Sequence, residues 1–137
     1  MGTDADWPLQ RAVLDALRRD QAVRSHLGDP PRILDRPDPA ADLPLLIYGA
    51  GRSRSWHSAT FDGQEHDIVL DLRSGQGGSG RVREIAASII DVLHDADLPL
   101  PGHALIDLQF EESETRFEEA DGSYHCKLRF KGLTVAD

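Results

Sequence analysis

The residues best suited to chemistry lie in GQGGSG, positions 75–80, where Gly75, Gly77 and Gly80 match the spacing G-x-G-x-x-G. Glycines at that spacing let a backbone approach a pyrophosphate, and the bare amides of a following helix would hold its charge. The surroundings point elsewhere. The preceding run HDIVLDLRS is half polar, whereas a strand in a parallel nucleotide-binding sheet is covered on both faces. Asp95 and Asp97 have roughly the spacing of a ribose-binding carboxylate but fall in a proline-broken loop, Glu111 comes too late, and no further strand–helix–strand unit follows. A connecting loop is the plainer reading, and a small phosphate- or nucleotide-binding enzyme using Gly75 to Gly80 is the alternative. Gly49-Ala50-Gly51 is a weaker candidate, because no helix follows it.

Other chemistries find less support. His26, His57, His66, His94, His103 and His125 include no i, i+4 pair and no HExxH, and one cysteine cannot make a paired-cysteine zinc motif. They read as scattered surface histidines, although His57 and His66 flank Asp62-Gly63 and would approach each other across a hairpin. Cys126 falls on the apolar parity of a strand and reads as a small core residue. Ser79, in GGSGR, lacks the closing glycine of a nucleophile elbow. Glu111, Glu112, Glu114, Glu118, Glu119 and Asp121 are crowded into one polar run, and catalytic carboxylates need contrasting environments that solvent does not provide. That run reads as a solvated strand edge or hairpin tip, or as an acidic surface that repels a polyanion. No catalytic residue, cofactor or metal is expected, and the chain does not read as an enzyme. Arg52, Arg54 and Trp56 form a compact basic–aromatic spot suited to a protein contact, or a solvated loop.

The elements that would position these residues follow from periodicity. In HDIVLDLRS, Ile68, Leu70 and Leu72 alternate with Asp67, Asp71 and Arg73, which predicts a strand with one buried face. In RVREIAASIIDVLHD, Val82, Ile85, Ala86, Ile89 and Leu93 recur at three and four, which predicts a helix lying on that face. Upstream, Asp6 is a candidate N-cap for a helix starting at Trp7-Pro8. Asp20 would cap a short helical piece, QAVRSHL, closed by Gly28. The Pro- and Asp-rich stretch 29–42 reads as an extended connector. LPLLIY then predicts a short strand, GAGRSRS a flexible basic loop, and SWHSATF the first arm of a hairpin turning at Asp62-Gly63. Downstream, Ala104, Ile106, Leu108 and Phe110 alternate. In the last strand Tyr124, Cys126, Leu128 and Phe130 share one face, and Gly132 marks an expected bulge. The expectation is one α+β domain over residues 1–137, with a mostly antiparallel sheet of about five strands and two main helices packed on one face.

Composition sets the outer bounds. A chain of 137 residues can bury a core without staples, and a lone cysteine permits no internal disulfide. A net charge of −9 argues against wrapping nucleic acid, which needs a basic face, yet suits a surface past which DNA slides. The polar start MGTDAD is unlike a secretory leader, and the longest apolar run, LPLLIY, is too short for a membrane span.

The order of these features, beginning with LQRAVLDALRRDQAVRSHLG, then RILD, LPLLIYG, HDIVLDLRS with its glycine-rich loop, VREIAASIIDVLHDADL and FEEADGSYHCKLRFKGL, resembles the tail terminator (tail completion, or head–tail joining) family of long-tailed phages and gene transfer agents. The resemblance implies a structural virion protein, made in the host cytoplasm, that forms a homohexameric ring at the head-proximal end of the tail tube. Such a ring ends tube assembly and joins the tail to the head connector. The implied partners are further copies of the chain, the tail tube protein and a head–tail connector or stopper protein, with DNA passing through the ring without specific binding and no membrane involved. Under this reading Arg52, Arg54, Trp56, Ser74, Gln76 and Ser79 contact neighbouring rings or subunits, and Glu111, Glu112, Glu114, Glu118 and Glu119 line the channel. A generic cytoplasmic adaptor is the remaining alternative.

Overall fold

The computed structural model describes residues 4–49, 51–56, 58–75 and 77–137. Two helices, α1 (Asp6–Arg19) and α2 (Gln21–Leu27), precede the strands β1 (Ile33–Leu34), β2 (Leu45–Tyr48), β3 (Arg52–Ser55) and β4 (Gly63–Ser74). Helix α3 (Gly78–Leu93) follows, then the long hairpin of β5 (His103–Glu118) and β6 (Ser123–Ala136). The class is α+β as expected, but the sheet has six strands and is mixed, in the order β1-β2-β4-β6-β5 with β3 also on β4. The parallel member is β1, which joins β2 through Ile33 opposite Leu46. The third helix, α2, forms where Asp20 caps it: Oδ2 accepts from the Val23 amide at 3.1 Å, and Gly28 closes it at φ 97°.

Alternation decides the layers. His66, Ile68, Leu70 and Leu72 of β4 are buried under α3, alongside Cys126, Leu128 and Phe130 of β6, and the stripe Val82, Ile85, Ala86, Ile89 and Leu93 covers them. Each large apolar side chain buried there contributes about 1.5–3 kcal/mol. Leu9, Val13 and Leu17 of α1 complete the same cluster. Strand β6 lies between β4 and β5, so the connection β4–α3–β5 skips over it.

Three local expectations change. The N-cap of α1 is Ala5, with no side-chain bond, and Asp6 is the first helical residue. Its carboxylate instead accepts from Ser53 Oγ at 2.8 Å and meets His66 Nδ1 at 2.6 Å. The stretch read as a basic loop is β3, because Arg52 and Arg54 stand opposite Asp67 and Glu65; of SWHSATF, only Ser55 belongs to it, and His57 lies outside the described residues. Gly132 stays in register on β6, facing the helices beside Leu9 and Leu108; the bulges are in β5, after Leu105 and after Phe110. The acidic run takes both places read for it, with residues 111–118 on the edge strand β5 and Glu119 and Asp121 in the turn that follows.

Candidate assembly surfaces

Strand β4 spans about 36 Å, at roughly 3.3 Å per residue, and separates the two contact regions expected from the sequence. At its start lie β3 and the connecting loop, where Trp56 and Phe61 are both 39% exposed and stack edge-on at 5.2 Å. At its end lies the glycine loop. Ser74 is buried as the last residue of β4, Ser79 is half-buried in the first turn of α3, and Gln76 lies outside the described residues. Leu43, Pro44, Gly75, Gly77 and Arg81 line an open cleft of about 780 Å³ beside that turn. Gly77 is left-handed at φ 88°, and Gly80 sits inside the helix. Both strands flanking β4 along its second half, β2 and β6, run antiparallel to it, unlike the parallel neighbours of a dinucleotide site. Among the described residues no group of three His, Cys, Asp or Glu side chains could hold a metal, and no helix is long and apolar enough to cross a membrane.

A surface that sequence reasoning missed adjoins the start of the sheet. Trp7, 59% exposed, borders a groove of about 650 Å³ with Pro8, Arg11 and Pro99 to Pro101. Its signal was available in retrospect, because Trp7 falls off the apolar stripe of α1.

The sheet face away from the helices carries charge in rows. Asp67 faces Lys131, Asp71 faces Lys127, Glu112 faces Arg129 and Glu114 faces Lys127. Arg54 Nε donates to Glu65 Oε1, and this bond holds the Glu65 carboxyl below the usual carboxylate range while raising the arginine further. Glu112 approaches Arg129 at 3.6 Å, Glu111 approaches Lys131 at 3.9 Å, and Glu118 pairs with Arg116 at 3.3 Å. The acidic run is therefore half of a mixed-sign face rather than a uniformly acidic surface. Glu119 lies beyond the strand, in the turn.

Two histidines read as surface residues are buried. His66, 1% exposed, donates from Nδ1 to Asp6 and meets the Thr134 hydroxyl with Nε2 at 2.9 Å, tying α1 to β4 and β6. The order Asp6, His66, Thr134 is that of a nucleophile triad, but Thr134 is itself 1% exposed, so no substrate reaches it. At the other end Arg116 donates to His125 Nδ1 at 3.3 Å, and His125 Nε2 donates to Ser123 Oγ at 3.1 Å. Ser123 Oγ in turn donates to Asp121 at 2.6 Å. Burial, followed by the nearby Arg73 guanidinium, keeps the His125 pKa below its ordinary value. The Ser123 hydroxyl and amide lower that of Asp121. Burial raises the Cys126 thiol, consistent with a packing role.

The family model for tail completion protein gp17 matches residues 11–134. The chain belongs to this family. A chain of the solved structure "Virion of native gene transfer agent (GTA) particle" has the same fold, with a TM-score of 0.86 at 25% identity, over 98% of this chain and 100% of that one. A comparison with curated proteins finds no match. Membership of the tail completion family makes this chain a structural protein of the phage tail type, with no catalytic constellation in view among its described residues.

Proposed function

We propose that this tail completion protein forms a closed ring of six copies at the head-proximal end of the tail tube, ends tube growth there and joins the tail to the head connector. The family match over residues 11–134 carries this reading. The solved relative comes from an assembled gene transfer agent virion, and the present chain takes a corresponding place in its own particle. A ring closes through a heterologous interface, in which one patch of each copy meets a different patch of the next. Arg52, Arg54 and Trp56 serve the contact between subunits. The glycine loop and the half-buried Ser79 serve the contact with an adjoining ring, so that the tail tube protein sits on one axial face and the connector or stopper on the other. Glu111, Glu112, Glu114, Glu118 and Glu119 line the central passage. The cations of that face are held by these glutamates, through Arg129 with Glu112, Lys131 with Glu111 and Arg116 with Glu118, so it offers no basic surface to grip a phosphate backbone and DNA slides through without specific binding.

A cryo-EM map of the head–tail junction from this protein's own particles tests the proposal. The expected result is a six-copy ring between tube and connector, with the β5 glutamates facing the bore. Density for the chain elsewhere in the particle would overturn the terminator reading. A ring with those glutamates turned outward would overturn the channel assignment alone.

A further inference from the structure

The two lateral edges of the sheet are open and oppositely charged. On one side β3 pairs only with β4, and every residue of it is exposed. On the other side the first half of the β5 edge is sealed: the Asp95 amide donates to the Leu108 carbonyl at 2.8 Å, and the Phe110 amide donates to His94 Nδ1 at 3.0 Å. Past that seal, residues 111–118 form an edge on which Glu112 and Glu114 are exposed. Parity puts Arg52 and Arg54 on the same sheet face as Glu112 and Glu114, because all four stand opposite charged residues of the outward face. Among the described residues neither Arg52 nor Glu114 has an oppositely charged group within 4.0 Å. Each edge also carries a half-exposed aromatic pair, Trp56 with Phe61 and Phe117 with Tyr124.

From these edges we infer that the occupant of the open β5 edge is the β3 edge of a second copy of this chain, with Glu114 facing the neighbour's Arg52. Two β5 edges would set Glu114 against Glu114 or other glutamates of the run in most registers, whereas the β3 edge offers it Arg52. Strand direction agrees with a head-to-tail contact. Both β4 and β5 run antiparallel to β6, and β3 runs antiparallel to β4, so β5 and a neighbour's β3 are antiparallel in one continuing sheet. The contact uses different patches on the two copies, as a closed ring requires. This inference rests on the ring reading above and specifies its interface.

The test is charge exchange in particles. Arg52→Glu and Glu114→Arg are introduced singly and together into a strain lacking the wild-type gene, and joined particles are counted. Each single change should lower the yield at least tenfold, and the double change, which restores opposite signs at every contact, should recover most of it. The purified variants should remain folded, with melting points lowered only slightly, since the like-charge pairs they create, at position 52 with Asp67 and at position 114 with Lys127, lie on an exposed face where such pairs cost little. Wild-type yield from both single variants, or a double variant no better than the worse single one, would overturn the interface. A wild-type chain absent from purified particles would instead overturn the ring reading.

Discussion

At position 66 the alternation that buries Ile68, Leu70 and Leu72 also buries an imidazole, and its two nitrogens are satisfied from opposite sides by Asp6 and Thr134. Parity alone could have located this histidine inside; its partners could not have been read, because they lie 60 and 68 residues away in sequence. His125 was concealed for another reason. It occupies the polar parity of β6, and its burial comes from Arg73 and Arg116 closing over it across three strands. Its pKa is lowered in the folded chain, so below the ordinary value of about 6.5 the unfolded chain binds the extra proton first. Stability therefore falls as pH drops through that window. Urea unfolding of His125→Gln between pH 7 and pH 5 should show a shallower decline than wild type. An unchanged slope would contradict this assignment.

Among the elements, β6 and α3 were the most legible, because each has one buried face and a clean period. The hairpin before them was less so. Gly63, expected in the turn, is the first residue of β4, and the opposing strand is RSRS rather than the more apolar SWHSATF. Cross-strand attraction from Glu65 and Asp67 outweighs the higher strand propensity of the apolar run. The bulges of β5 were expected at Gly132 on its partner. A glycine alone does not make a bulge, and Gly132 keeps its register opposite His66 and Leu108. Two other glycine substitutions should have opposite effects. In Gly63→Ala the added carbon would lie 2.1 Å from the Trp56 carbonyl oxygen, so the hairpin must shift, at a cost of about 1–3 kcal/mol. In Gly80→Ala the new carbon meets nothing within 4 Å, and the first turn of α3 should gain up to about 1 kcal/mol. Denaturant midpoints moving in opposite directions for the two variants would support this account; a stabilising Gly63→Ala would contradict it.

For the whole molecule, the net charge of −9 states less than where the charge sits. The sheet's outward face sets Asp71 against Lys127 and Glu112 against Arg129, whereas the connector before β2 carries Asp35, Asp38 and Asp42, which among the described residues have no cation within 4.0 Å. Sequence placed the glutamates in one run, but their countercharges come from β6, so the mixed character of that face appeared only on folding. Fold class and family were legible because the order of elements survives wide sequence change. Edges and ends were not, since they depend on which strands the sheet leaves unpaired. The central claim is that the chain finishes the tail and joins it to the head. Electron microscopy of particles made after deleting its gene tests this most directly. The account predicts separate heads, with tails unjoined or of abnormal length; complete particles of normal appearance would contradict it.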